Sequence, residues 1–470
     1  MLQFLLIFSV ACVHLHDQVG RADLAVSGPP LQTVVRVFAL FGVVAAITWI
    51  IQALSGLSMD RGSRRAWTTS HLTLEASRLV GLALLAWVTF ALGWVDAVRA
   101  FIGDYVLIDE VAACLPYWLL IAFGWWAHEP LERRSREAVL ARDIDEGFPL
   151  RPIESRMAYL WSNIRQQALV WLVPVLALSA WSEGVDKAAE ALTLEKGSGA
   201  VEAARLIGSL ALFVLAPVAI RRAWKTVELG PGELRDRINN VCRTHGVRAA
   251  GPYVWSTPGD GINAAVVGFL HPFRYLLISR SMLESFADRP LMAVVAHEVA
   301  HLKLRHMLWL GLAVLATVGL TGWLLTAIDY ALPPLRPFIN EATAAVATLT
   351  AVVLVFGFVS RRFEWQADAF AVRHISKDCD ADTHVSATGW GAVTGALTQV
   401  AMANNMSMRR WSWRHGSLAD RCRRAKALHG RSTSRAFPID IQAASIKVLT
   451  VVVIVASYAP FAWLAFAAAR

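Results

Sequence analysis

The sequence predicts a mainly α-helical, polytopic membrane bundle of about eight spans, and three observations lead to this class. Of its 470 residues, 56% are hydrophobic and only 17% are charged, whereas a soluble globular protein carries about 25% charged residues. Apolar runs recur along the whole chain, and the charges between them alternate in sign. The net charge of +9 does not by itself indicate a nucleic-acid partner, because membrane proteins concentrate basic residues in cytoplasmic loops.

The apolar runs define the predicted spans. A helix needs about 20 apolar residues to cross the hydrocarbon core, and the first run and the last three are long enough to do so. The fourth and fifth runs are short and need amphipathic extensions to cross. The eight runs lie at 34–54, 79–95, 111–127, 168–182, 206–220, 307–328, 342–359 and 448–469.

The charges in the connecting loops predict the topology. Basic residues follow the odd-numbered spans, and acidic residues dominate the alternate loops. This is the positive-inside pattern, and it keeps its phase through all eight spans. It predicts an N-terminus outside and places the polar segments 221–306 and 361–447 in the cytoplasm. The loops after the odd-numbered spans contain Arg61 and Arg65, Arg133 and Arg134, Arg221 and Arg222, and Arg361 and Arg362. The alternate loops contain Asp96, Asp109, Glu183, Asp186 and Asp329.

The chain therefore divides into six segments. Residues 1–32 form an N-terminal segment, either a short signal anchor or an interfacial helix, and five spans follow in 33–220. The polar segment 221–306 mixes helices with short β-prone runs. A transmembrane hairpin over 307–360 separates it from the helical segment 361–447, and 448–470 is the last span. The five cysteines are scattered without a Cys-x-x-Cys pair, so we expect free thiols.

A His-Glu-x-x-His pattern at 297–301 is the strongest chemical signal. On a helix, His297 and His301 project from one face and can hold a single zinc ion. Glu298 beside them can act as a general base toward water. Asp288, as an N-cap, and Pro290 predict where this helix begins.

The membrane topology indicates the third ligand. The hairpin 307–360 returns the chain to the face that it left, so the helix after it lies beside the motif helix. Glu364 is the first carboxylate after that return. Asp368, one turn later, can accept the other ring N–H of a ligating histidine. An ordinary charged helix start at the membrane interface is the alternative explanation of these acids.

These residues resemble the membrane zinc metallopeptidases that include the type I CAAX prenyl endopeptidases and the HtpX-like proteases. The resemblance rests on His297-Glu298-x-x-His301-x-Lys303-x-x-His306 and on 361–371, and it covers roughly 220–430. It implies a cytoplasmic α+β protease domain of the gluzincin type, split by the hairpin. It also implies one Zn²⁺ per chain on His297, His301 and Glu364, with Glu298 as the base.

Two further stretches resemble the family. Asn263, Ala264 and Ala265 match an edge strand that binds extended substrate through its backbone. His415 and Arg421 match a motif whose histidine stabilises the oxyanion and whose arginine shapes the site. The family motif reads His-Pro-Pro, whereas this chain has Gly416 and Ser417 after the histidine.

The implied activity is hydrolysis of membrane-associated or misfolded membrane proteins at the cytoplasmic face. We expect a peptide or protein substrate and the lipid bilayer as partners, and no nucleic acid. Cleavage of prenylated CAAX proteins is an alternative, although the eighth span departs from the seven-span prenyl endopeptidases. A membrane sensor or scaffold with a structural, non-catalytic zinc is a second alternative, and it requires a fourth protein ligand.

Overall fold

A computed structural model describes ten stretches of the chain, which fall into two compact units, Met1–Lys225 and Thr226–Arg470. The described residues are 2–19, 29–63, 65–146, 153–195, 197–256, 261–268, 270–338, 341–380, 383–404 and 406–468. Phe269, at the end of the β-prone run 264–269, lies outside them. The finer division of the chain into six segments stays a prediction.

The first unit is all helical in its described residues. Its N-terminal helix α1 is buried along one side within this unit, with Leu6 and Val13 each 1% exposed. α1 packs against α3 and α5, and the core around Leu85 and Tyr117 joins them. Its helices are α1 (Leu2–Val19), α2 (Pro30–Asp60), α3 (Arg65–Ala91), α4 (Trp94–Ile102), α5 (Ile108–Glu146), α6 (Arg156–Asn163), a π-helical turn Ile164–Leu169, α7 (Val170–Ala191) and α8 (Gly199–Ala223).

The second unit combines helices with a small sheet. Its elements are β1 (Val227–Glu228), α9 (Glu233–Thr244), β2 (Ala250–Trp255), β3 (Ala264–Val267), β4 (Tyr275–Ser279), α10 (Arg280–Ser285), α11 (Asp288–Lys303), α12 (His306–Ala331), a 3₁₀ turn Pro333–Phe338, α13 (Glu341–Asp380), α14 (Ala387–Ala403), α15 (Leu418–Lys426) and α16 (Pro438–Ala468). The sheet order is β1-β2-β4-β3. β2 and β4 are parallel, and the other two pairs are antiparallel.

Within the described residues, eight helices are long and apolar enough to cross a membrane, which confirms the predicted bundle. Each overlaps one of the eight predicted runs, although the second run, 79–95, passes the end of α3 at Ala91. The two short runs lie in continuous helical stretches of 36 and 25 residues, Arg156–Ala191 and Gly199–Ala223. The polar helical turns on either side of each short run make the helix long enough to cross the hydrocarbon core. The chain is therefore a multi-pass integral membrane protein.

Small side chains allow α11 and α13 to pack closely. Ala296 and Ala300 on α11, and Ala367 and Ala371 on α13, are fully buried. The two helices pack directly against each other. Because alanine adds little bulk between helix axes, the functional side chains of both helices can meet above this contact.

The start of α11 differs from the prediction in one detail. Ala287 is the N-cap and makes no side-chain cap hydrogen bond, while Asp288 is the first helical residue. Asp288 also pairs with Arg237 at 2.9 Å. The predicted capping role was therefore wrong by one position, although a carboxylate in the first turn still stabilises the positive end of the helix dipole.

Candidate metal centre

The two histidines of the motif lie on α11, as the spacing predicts. Four residues make slightly more than one helical turn, so both rings project from the same face. Their Nε2 atoms are 3.2 Å apart. Buried Val295 and Val299 hold the opposite side of the helix in the core, so both imidazoles are directed away from the apolar packing.

Glu364 comes to the histidines from α13. The helix runs without a break from Glu341 to Asp380, so Glu364 lies about 35 Å along it, slightly more than the thickness of a hydrocarbon core. Glu364 Oε2 is 3.6 Å from His297 Nε2, and Oε1 is 3.7 Å from His301 Nε2. The predicted third ligand and the two histidines are thus brought together.

The spacing of these atoms fits a metal ion. One donor atom from each of the three residues lies within 4.8 Å of the others. Tetrahedral zinc with bonds of about 2.0–2.1 Å requires ligand atoms about 3.3–3.4 Å apart. The measured separations of 3.2, 3.6 and 3.7 Å lie close to that value. Two imidazoles and one carboxylate are also a donor set of catalytic zinc sites.

Asp368 and Arg421 form the layer behind the ligands. Asp368 Oδ1 is 2.9 Å from His297 Nδ1, so the predicted supporting carboxylate lies next to this histidine. Arg421 donates two hydrogen bonds to the Asp368 carboxylate, at 2.8 and 2.7 Å. Its Nη1 also lies 3.2 Å from Glu364 Oε2. Arg421 is 7% exposed and is fully engaged by carboxylates, so the geometry favours a positioning role over contact with substrate.

The two histidines have opposite electrostatic environments. Burial lowers the pKa of His297, but the contacts with Asp368 and Glu364 outweigh it and raise that pKa to about 10. Burial lowers the pKa of His301 to about 3, and the attraction of Glu364 offsets only part of that change. These pKa directions favour the neutral form of His301 and the protonated form of His297, so a metal that binds both rings would displace a proton from His297.

Glu298 points to the same site from the next position on α11. The backbone N–H of Val266 donates to its carboxylate, which ties it to strand β3. Burial raises the pKa of Glu298, and the charge on His297 offsets only part of this rise. A carboxylate with a raised pKa is a better proton acceptor at neutral pH.

β3 is an edge strand, and it passes directly beside Glu298. The Ser279 N–H donates to the Asn263 carbonyl at 2.9 Å, and Ala265 lies opposite Leu277 in the antiparallel register. In such a ladder the hydrogen-bonded positions alternate. Asn263 and Ala265 therefore bond to β4, whereas Ala264 and Val266 direct their backbone groups to the open edge.

A side chain from α14's end anchors the start of this strand. Asn404 accepts from the Ile262 N–H and donates to the Ile262 carbonyl, both at 2.9 Å. No sequence pattern predicts this pairing, because the two residues are separated by 142 positions and neither lies in a motif. The contact fixes the position at which β3 enters the site.

His415 reaches Glu364 from a loop between α14 and α15. Its Nδ1 is 3.1 Å from Glu364 Oε2, and its side chain is 45% exposed. Arg361 donates to the Trp413 carbonyl at 2.7 Å, and Ser412 and Gly416 exchange backbone hydrogen bonds. Gly416 has a φ of +73°, a conformation that glycine adopts readily. His415 therefore still contacts Glu364, although Gly416 and Ser417 replace the two prolines of the family motif.

Eight apolar helices and a His-His-Glu cluster with an adjacent half-buried glutamate define the class of membrane-integral metallopeptidases. The model of peptidase family M48 matches residues 229–429, which include every residue of the cluster. The segment that carries the cluster is therefore similar to the M48 metallopeptidases.

Two known proteins resemble the chain. A "CAAX prenyl protease 1 homolog" from Arabidopsis thaliana is 29% identical over 179 residues, which are 35% of this chain and 42% of that protein. The chain thus matches less than half the length of this curated relative. The crystal structure of Ste24p from S. mikatae aligns with a TM-score of 0.47 and 15% identity, over 85% of this chain and 99% of that one.

Proposed function

We propose that the protein is a zinc-dependent endopeptidase that cleaves membrane-associated or misfolded membrane proteins at the cytoplasmic face. The observation that carries the proposal is the cluster of His297, His301 and Glu364 at tetrahedral spacing, with Glu298 beside it. Among the residues that the structure describes, the cluster contains three members, whereas a structural zinc takes four protein ligands. A coordination position is therefore left for water or substrate, which favours catalysis over a sensor or scaffold.

His297, His301 and Glu364 would hold the metal, and Glu298 would move the proton. When bound, zinc supplies a Lewis acid that polarises the scissile carbonyl and lowers the pKa of water to about 7. Glu298 accepts the proton of the attacking water and then donates it to the leaving amine. The Val266 N–H keeps the carboxylate oriented through both transfers.

His415 and Arg421 would have different tasks. His415 is half exposed beside Glu364, so its imidazole can donate to the oxyanion as charge develops on the substrate carbonyl. Arg421 holds Asp368 and Glu364 in place. We therefore assign Arg421 to positioning of the ligands and His415 to contact with substrate.

The edge strand gives a physical basis for substrate binding. Ala264 presents its N–H and C=O to the open edge, and Val266 presents its C=O there. An extended peptide can pair with these groups as an added strand. Since this pairing uses the backbone, it tolerates many sequences. Asn263 and Ala265 would support it through their pairing with β4.

The test compares Glu298→Gln with wild type in purified, detergent-solubilised full-length protein. We expect equal zinc content by metal analysis but cleavage of casein or a model peptide reduced by at least about a hundredfold, the scale of general-base catalysis. Glu233→Gln, an exposed glutamate at the start of α9, is the matched control and should keep full activity. Wild-type cleavage by Glu298→Gln contradicts the assigned base, and zinc without cleavage in the wild type favours the sensor.

Cleavage of prenylated CAAX proteins is the second candidate, and the similarity to a protein named as a CAAX prenyl protease homolog favours it. The zinc site serves both substrates equally, so the two proposals differ only in what the substrate carries. A peptide with and without a prenyl group separates them. Equal rates support broad proteolysis of membrane proteins, whereas strict dependence on the prenyl group supports the second candidate.

A further inference from the structure

His306 is a buried histidine whose two ring nitrogens both have partners. It begins α12, is 0% exposed and stacks on Phe363, with ring centroids 4.4 Å apart and planes at 5°. Its Nδ1 is 3.0 Å from Nδ1 of His301, and its Nε2 is 3.1 Å from Oε1 of Gln366. His301 thus faces Glu364 with one nitrogen and His306 with the other.

We propose that His306 is a positioning residue for His301, and this inference rests on the proposed ligand set. If Nε2 of His301 binds the metal, then its Nδ1 carries the proton and donates. Nδ1 of His306 must accept, so Nε2 of His306 carries a proton and donates to the Gln366 oxygen. Each tautomer is fixed by the one before it.

The same logic extends to a carboxylate. Because the Gln366 oxygen accepts from His306, its amide nitrogen donates, and Nε2 lies 2.9 Å from Asp440 Oδ1. The other oxygen, Oδ2, accepts from Arg373 and from the Phe437 N–H, each at 2.9 Å. In this series of hydrogen bonds, each residue donates to the next one on the way to Asp440. A chain polarised in one direction increases the electron density on the metal-binding nitrogen of His301.

The two metal-binding histidines would therefore both be supported by carboxylates, but over different distances. Asp368 contacts His297 directly. Asp440 reaches His301 only through Gln366 and His306, and these three residues belong to α16, α13 and α12. The orientation of His301 thus depends on how the first turn of the last membrane helix packs against α13.

The test measures zinc affinity of the full-length protein by competition with a chromophoric chelator. His306→Phe keeps the aromatic stack but removes the acceptor, and it should weaken zinc binding by about 10- to 100-fold, as loss of such partners does. His306→Asn places an oxygen acceptor near the position of Nδ1 and should restore affinity to within about threefold. Gln366→Met should give an intermediate loss.

A spectroscopic readout separates positioning from general destabilisation. The visible absorption bands of the Co²⁺-substituted protein should change in His306→Phe and return in His306→Asn. The matched control is His245→Phe, which breaks another His–His contact, the one between His245 and His374 at 3.1 Å, and should change neither affinity nor spectrum. Unchanged zinc affinity in a well-folded His306→Phe overturns the inference. Absence of zinc binding by the wild type overturns the proposed function instead.

Discussion

Arg421 is the positively charged residue that contacts both carboxylates behind the proposed metal site. It faces Asp368 and Glu364 inside the protein, and two buried carboxylates without a counter-charge are strongly destabilising. Its planar guanidinium bonds both oxygens of Asp368 at once, which a lysine cannot do. The carboxylates in turn hold His297, so one arginine fixes two ligands of the proposed site.

The proton on His297 predicts a pH dependence of metal binding. Its pKa is about 10 without metal, and zinc binds only the neutral ring. Below that pKa the proton competes, so the apparent zinc affinity should rise about tenfold per pH unit from pH 6 to 8. In Asp368→Asn one of the two contacts that raise the pKa of His297 is lost, so that pKa should fall. The zinc affinity of this variant should therefore level off at a lower pH than that of the wild type.

Chelator competition at pH 6, 7 and 8 measures this slope. Asp288→Asn is the control, because it removes an exposed carboxylate from the same helix and should keep the wild-type slope. A pH-independent zinc affinity in the wild type would contradict a protonated His297 in the metal-free protein.

Among the elements, the turn after β3 depends on one glycine. Gly268 has a φ of +99°, and a Cβ there would lie 2.0 Å from the Phe273 carbonyl oxygen. Gly268→Ala should therefore shift β3 against β4 at a cost of about 1–3 kcal/mol. Since β3 is the proposed substrate-binding edge, we expect KM to rise more than kcat falls.

Steady-state kinetics and thermal unfolding check this prediction. Gly391→Ala on α14 is the matched control, because a Cβ at that position meets nothing within 4 Å and an alanine favours the helix. An unchanged KM in a destabilised Gly268→Ala protein would show that β3 does not bind substrate.

How much of the site the sequence could predict depended on the separation between its parts. His297 and His301 share one helix, and Glu364 follows a hairpin whose length is set by the membrane, so periodicity and topology were sufficient. The partners Gln366–Asp440 and Ile262–Asn404 depend instead on how separate helices pack. The spacing of residues along the sequence does not indicate how separate helices pack. For the same reason, the sequence did not predict that Val266 lies beside Glu298.

For the whole molecule, the alternating loop charges make a prediction about membrane sides. Basic loops resist translocation, so the loop around Arg410 should be cytoplasmic and the loop around Glu195 should be outside. In a variant with all five cysteines replaced, single cysteines at these exposed positions test this. A membrane-impermeant maleimide applied to intact cells should label Glu195→Cys but label Arg410→Cys only after permeabilisation.

The labelling result would also decide where substrates are cleaved. His415 lies five residues after Arg410, and Arg361 bonds the same loop at Trp413, so the side of Arg410 is the side of the proposed metal site. α13 reinforces this link, because it is one continuous helix from the apolar run 342–359 to Glu364. Labelling of Arg410→Cys in intact cells would therefore move the proposed proteolysis to the outer face.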